Sequence, residues 1–282
     1  MPTFETFDLN IKNHIAVLTL NQPKKRNAMK KSFWTDFPDA LRMLDEKSLC
    51  RVCVIKSDGP HFCAGIDITF LQEMLLGKSQ LASKNSARNR LSLRGFVQAV
   101  QKTFSVCEEV RFPVLVAAQG GCFGAALGLL SAADCRYCTT DAFFVVQETN
   151  LGLTSDIGSL QRLSHIVGEG IAKEWAFTGK KVLAEEATSS GFINASFPSV
   201  EVMYEHVMKI AETIVEKSPL TIYGIKEMLQ FSRDHSLSKS LDYMATWQAA
   251  MLSKTDIEGA FKAQVDSSMN QFEDLPKKKM ED

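Results

Sequence analysis

Residues 120–130 read GGCFGAALGLL, set between the continuous apolar run FPVLVAAQ and the segment SAADCRYC. A chain that strips nearly every bulky side chain from a turn, then resumes a hydrophobic helix, has few folds open to it. Either two stretches of main chain pack so closely that only small residues fit, or a ligand must touch the backbone itself. The apolar run reads as a buried strand, and the stretch after it as a turn leading into a helix.

The surrounding order supports an α/β chain. Ile15–Leu20 is a β-rich run forming a hairpin, stopped by the turn NQPKKRN. Phe33, Phe37, Leu41 and Leu44 recur at near-helical spacing, which predicts a helix over about residues 30–47. VCVIKSDG is a short buried strand ending in an Asp-Gly turn, and HFCAGIDITFLQEML runs from loop into helix. Residues 76–93 are polar and Ser-rich, a mobile stretch that also borders the pocket, and residues 91–110 suit an amphipathic helix. ADCRYCTTDAFFVV supplies two further short strands. Alternation of strands and helices to about residue 150 argues for a largely parallel arrangement. Beyond residue 200 the strand signals vanish, and residues 201–273 read as three helices. The division is therefore a core over residues 1–200 and a helical region over 201–282.

Composition removes several functions. The chain has 282 residues with 32 basic and 33 acidic, so no bulk charge draws it to nucleic acid or an anionic membrane. No apolar run approaches the roughly 20 residues that span a bilayer. The basic triplet 277–279 reads as a solvated tail. Seven cysteines without a secretory signal suggest free thiols in a reducing compartment. Cys135 and Cys138 form a CxxC, but no second ligand pair is spaced to complete a zinc site, so no metal is expected. No G-x-G-x-x-G, H-E-x-x-H or G-x-S-x-G occurs.

Carboxylates and backbone amides remain. In FCAGIDI, residues 62–68, Ala64 and Gly65 sit between strand and helix, where unpaired amides point outward. The 120–130 stretch has the same layout, and two such junctions face to face would offer two N–H groups to one oxygen. In VVQETNLGLTSDIGSLQRL, residues 145–163, Glu148 and Asp156 bracket a segment without helical period. Glu148 follows the apolar FFVV, a setting that desolvates a carboxyl and fits it for proton transfer near neutral pH. His61, beside FCAG, could touch a ligand or serve the structure.

NQPKKRNAM, HFCAGIDI, GGCFGAALG and QETNLGL together resemble the crotonase superfamily, the enoyl-CoA hydratase/isomerase proteins, over nearly the whole chain. CRYCTTDAFFVVQETNLGLTSDIGSLQRL is most similar to the dienoyl-CoA isomerase branch. The resemblance implies a spiral core of β-β-α repeats followed by helices for trimer formation, with trimers pairing into hexamers. It implies an acyl-CoA thioester whose carbonyl oxygen lies between the amides of Ala64 and Ala125, with Lys24, Arg26, Ile66 and Gly124 near the substrate. No separate cofactor is implied, since coenzyme A is part of the substrate.

One family position departs. Where dienoyl-CoA isomerases carry an Asp and hydratases a Glu, GAALGLL places Gly128; the other two family acids match Glu148 and Asp156. A hydratase needs two carboxylates to position and split one water, so Gly128 disfavours hydration. The expectation is an acyl-CoA double-bond isomerase of the dienoyl type in β-oxidation. The alternatives are 3-enoyl to 2-enoyl isomerisation, hydration, or a non-catalytic acyl-CoA-binding scaffold. The chemistry suits a mitochondrion or a peroxisome-like organelle, and neither end carries a recognisable address.

Overall fold

The computed structural model describes residues 2–76, 86–266 and 272–278. The strands are β1 (Phe7–Lys12), β2 (Ile15–Leu20), β3 (Val52–Ser57), β4 (Val114–Ala118), β5 (Gly121–Phe123), β6 (Cys135–Thr139), β7 (Phe143–Val145), β8 (Val182–Leu183) and β9 (Ala195–Phe197). The helices are α1 (Phe33–Glu46), α2 (Ile68–Leu76), α3 (Ser86–Glu109), α4 (Ala125–Ala132), α5 (Gln147–Asn150), α6 (Ser159–Val167), α7 (Glu169–Thr178), α8 (Ala184–Ser189), α9 (Val200–Val215), α10 (Pro219–Asp234), α11 (Leu237–Met251) and α12 (Lys254–Asp266).

Two sheets share the strands: a six-stranded one, ordered β1-β2-β3-β4-β6-β9, and a three-stranded one, β5-β7-β8. Among the described residues only the β1–β2 hairpin and the β7–β8 pair are antiparallel. Units β4-β5-α4 and β6-β7-α5 each give one strand to each sheet before a helix, the β-β-α turn expected of a spiral. β5 corrects the reading of residues 120–124 as turn alone. Three residues without an apolar run carry no strand signal; pairing of Gly121, Cys122 and Phe123 with β7 makes the strand.

The anticipated helical stripe of α1 is buried throughout: Phe33, Phe37, Leu41 and Leu44 are all within the core. Phe33 stacks on Phe37 at 5.1 Å, and the Phe104 ring of α3 lies 6.5 and 6.3 Å from them. Each such side chain stabilises the fold by about 1.5–3 kcal/mol on burial. This aromatic knot fixes α3, which forms one wall of the functional cavity.

Helix α3 begins before the expected residue 91, at Ser86. Of the polar stretch over residues 76–93, residues 77–85 lie outside the described residues, while 86–93 are helical. All seven cysteines are free thiols.

The C-terminal region has four helices among the described residues, α9 to α12, rather than three. The breaks follow local chemistry: Ser218 caps α10 by accepting from the Thr221 amide, with Pro219 as the first helical residue. Ser253 Oγ accepts from the Asp256 amide at 3.1 Å and starts α12. Helix α9 buries Met203, Val207 and Ala211 against Val52, Val54, Leu115 and Tyr137 of the large sheet. Packing on the sheet therefore continues past residue 200 to the end of α9. Helix α10 is anchored by Lys226, whose Nζ donates to the carbonyls of Cys107 (2.6 Å) and Phe112 (2.9 Å) and to Asp134 Oδ2 (2.8 Å).

Residues 272–278 return to the core. Arg51 pairs with Asp274 at 2.6 Å, Arg111 donates to the Pro276 carbonyl at 2.9 Å, and Lys278 Nζ pairs with Asp45 at 2.5 Å. Lys277 and Lys278 are exposed, as a solvated tail requires, while the Lys278 ammonium also reaches the nearly buried Asp45; Lys279 lies outside the described residues.

Candidate active site

The two small-residue junctions lie side by side. Cys63 and Cys122 form a parallel bridge, with the Cys63 amide donating to Gly121 O (3.3 Å) and the Phe123 amide to Cys63 O (3.1 Å). Gly65, at φ +85°, packs so closely that a Cβ there would fall 2.6 Å from the Phe123 carbonyl oxygen. Gly124 caps α4 at φ 49°, ψ −110°, a conformation open to glycine, and a Cβ there would sit 3.4 Å from Glu148 Oε1. Close packing of main chain, the first explanation of the stripped turn, is what the structure shows, and it brings the two junctions together.

Counting donors identifies the free ones. The amide of Phe62 donates to Gln119 O (2.7 Å), that of Ala64 to Arg26 O (2.9 Å) and that of Asp67 to Met29 O (3.0 Å). The Gly65 amide meets Cys63 Sγ at 3.3 Å. Among the described residues the Ile66 amide donates to nothing, nor does that of Ala125, first residue of α4. Ala64, expected as an amide donor, is therefore already engaged. Arg26 takes a left-handed conformation, φ 51°, and its carbonyl accepts the Ala64 amide. The free donor on that segment is Ile66, expected only as a substrate contact. Its partner-less state follows from a bridge with Met29, distant in sequence and invisible in a local motif.

These amides open into a cavity of about 410 Å³ that also holds Arg26, Gly124, Glu148 and Asp156. Its walls are apolar: Trp34 of α1, Leu71 of α2, Phe96, Val97 and Val100 of α3, and Ile157. Lys24 does not line it and stands exposed on the short 3-10 turn Pro23–Lys25. A second hollow, about 520 Å³ between α10, α11 and α12, is lined by Leu220, Met228, Met244 and Trp247. Among the described residues that line it, the one carboxylate, Asp256, is engaged by Ser218 Oγ. Of these two hollows, the first is the one that brings two carboxyls, Glu148 and Asp156, together with unused backbone amides.

Glu148 sits on α5 directly after β7, as its place behind FFVV suggested, and its Oε1 accepts from Ser155 Oγ at 3.2 Å. Burial pushes its carboxyl above the ordinary glutamate range, and the nearby charge of Asp156 adds to that. Asp156 lies on the loop between α5 and α6, and burial against the cavity walls raises it too. Two carboxyls that burial holds above their ordinary range share one apolar space with two unused amides.

Gly128 lies in fully buried α4. A Cβ there would come within 2.8 Å of Ile157 Cδ1 and 3.0 Å of the Phe104 ring. The place of the third family acid is thus closed by apolar side chains. His61 serves the scaffold: its Nδ1 accepts from the Gly121 amide at 3.0 Å, tying the two junctions together. Cys135 and Cys138 stand on β6, three residues apart, where alternate side chains point to opposite faces. No group of three His, Cys, Asp or Glu suited to a metal occurs among the described residues. No helix among them is long and apolar enough to cross a membrane.

The family model for enoyl-CoA hydratase/isomerase matches residues 10–277. The chain is similar to the mitochondrial delta(3,5)-delta(2,4)-dienoyl-CoA isomerase of Rattus norvegicus, 41% identical over 86% of this chain and 74% of that protein. It is also similar to the peroxisomal protein of that description from Arabidopsis thaliana, 37% identical over 93% and 94% of the two chains. Among solved structures, a putative enoyl-CoA hydratase from Streptomyces coelicolor A3(2) superposes with a TM-score of 0.85 at 24% identity, covering 97% and 96% of the two chains.

Proposed function

The chain belongs to the enoyl-CoA hydratase/isomerase family, and we propose that it shifts the conjugated double bonds of a 3,5-dienoyl-CoA into the 2,4 positions. It is an acyl-CoA double-bond isomerase of β-oxidation. In this reaction the C2–H bond breaks, the double bonds each move one carbon toward the thioester, and a C6–H bond forms. The thioester oxygen sits between the Ile66 and Ala125 amides, which stabilise the enolate as charge moves onto oxygen. Glu148, beside Gly124 and hence beside the Ala125 amide, faces C2 and takes its proton. Asp156, on the loop that lines the same cavity, delivers a proton at C6. Like charge disfavours ionising both carboxyls together, so one proton shared between them suits an acid and a base in one step.

The observation that carries this reading is the pair of upward-shifted carboxyls in an apolar cavity with two free amides and no acid at Gly128. Hydration fits worse, because Phe104 and Ile157 occupy the room a water-splitting second carboxylate would use. Both acid–base groups and both oxyanion donors come from the chain, so the reaction calls for no cofactor beyond the coenzyme A of its substrate. Arg26 at the cavity, with Lys24 on the neighbouring turn, suits the phosphates of that coenzyme. Exposed Ile225, Leu229, Leu241 and Leu252 on the C-terminal helices favour self-association through residues 201–282, as a trimer or a pair of trimers. The mitochondrial and peroxisomal relatives make such an organelle the place of action.

The test is ultraviolet absorbance with purified protein and 3,5-dienoyl-CoA, 3-enoyl-CoA or 2-enoyl-CoA. Conversion of the diene is the expected result. Turnover of the mono-ene alone would reassign the substrate, and tight acyl-CoA binding without turnover of any would make the chain a binding scaffold.

A further inference from the structure

Helix α3 presents two stripes. Phe96, Val97 and Val100 line the acyl cavity. Gln101, Ser105 and Glu108, spaced i, i+4 and i+7 on one helical face, turn instead toward the loop that carries Asp156. Gln101 Nε2 donates to the Asp156 carbonyl at 2.7 Å. Arg162, near the start of α6, donates to Glu108 Oε2 through Nε (3.0 Å) and Nη2 (2.5 Å), and the same Nη2 reaches Ser105 Oγ at 3.0 Å. Its guanidinium also lies on Gly158, so close that a Cβ built there would fall 2.3 Å from Nη1. The guanidinium is trapped between α3 and the backbone just past Asp156. Glu108 is braced from a third side by Arg233 of α10, whose Nη1 donates to Oε1 at 2.8 Å.

The Asp156 carboxyl makes no hydrogen bond or ion pair with another residue among the described residues. Its position is therefore set by its backbone. We propose that Gln101 and Arg162 are positioning residues that hold Asp156 at the reacting carbon while leaving its carboxyl free to exchange a proton. This inference rests on the proposed role of Asp156. Because α3 also walls the acyl cavity, one rigid helix registers the substrate chain and the proton donor against each other. Misplacing a reacting group by about 1 Å loses on the order of a hundredfold in rate, which makes such bracing worth building.

The test is a double-mutant cycle on 3,5-dienoyl-CoA turnover, with Gln101→Ala and Arg162→Ala each placed in the native chain and in Asp156→Asn. Each is expected to lower kcat at least about tenfold in the native chain with KM changed less than about twofold, and to lower it no further in Asp156→Asn. Equal losses in both backgrounds would mean a purely structural role and overturn the proposal. Should Arg162→Ala fail to fold, Gln101→Ala, a half-exposed side chain, carries the cycle alone. Amide hydrogen exchange over residues 154–158 gives a second readout: faster exchange in Gln101→Ala is expected, and native rates would overturn the proposal. If the native chain fails to convert the diene, the functional reading falls by itself, while the exchange measurement still decides whether the loop is braced.

Discussion

Gly128 offers the sharpest perturbation, because geometry limits what can stand there. A β-carbon at that position would lie 2.8 Å from Ile157 Cδ1 and 3.0 Å from two Phe104 ring atoms. The Ile157 terminus can swing aside, but Phe104 is fully buried among Phe33, Trp34 and Phe37 and cannot. Overpacking of this kind destabilises by about 1–3 kcal/mol, against a gain of about 1 kcal/mol from replacing glycine within a helix. Gly128→Ala should therefore lose about 0–2 kcal/mol. Gly128→Asp adds a buried carboxyl with no partner, a further ~1–3 kcal/mol, and should lose about 1–5 kcal/mol in all. Urea unfolding reads the difference: the midpoint should fall from native through Gly128→Ala to Gly128→Asp, at unchanged slope. Restoring the family acid should not create 2-enoyl-CoA hydration. A Gly128→Asp chain as stable as the native one, or one that hydrates 2-enoyl-CoA, would refute the view that Phe104 and Ile157 have closed this corner.

Two further outcomes follow from the site. Ala125→Pro removes one oxyanion donor while leaving a residue well suited to the first position of α4, so kcat should drop about 10²–10³-fold with thermal stability nearly kept; an unchanged kcat would exclude that amide from the site. Glu148→Gln should stabilise the protein as pH rises. The folded carboxyl is held above its ordinary value of 4.5 by burial, so the unfolded chain ionises first and the native fold loses stability as pH climbs from there through the raised value. The variant, free of that loss, should gain on the native chain over that window and keep the advantage at neutral pH; an advantage that shrinks toward neutrality would reverse the sign of the shift.

Where one element's own residues carry the signal, the sequence reads true. Phe33, Phe37, Leu41 and Leu44 declare α1 by spacing, and the runs behind β2, β3 and β4 are apolar enough to stand out. Glu148 is legible for the same reason, since FFVV marks the buried strand that delivers it. What depends on distant pairing is not legible. β5 exists through its register with β7, and the choice of Ile66 over Ala64 as free donor depends on carbonyls of Arg26 and Met29 that no local motif shows. The filled corner at Gly128 likewise needs Phe104 and Ile157 brought from two other segments, and the grip of Arg162 on Gly158 needs Glu108 from α3.

The central claim is that Glu148 and Asp156 together move a proton along a bound dienoyl-CoA without a third acid. The most direct measurement is single-turnover conversion of 3,5-dienoyl-CoA, followed by absorbance, for the native chain, Glu148→Gln and Asp156→Asn. The native chain should convert the diene, and each variant should be slower by about 10²–10⁴-fold, the usual contribution of a positioned acid or base. Native-like conversion by either variant would contradict the claim.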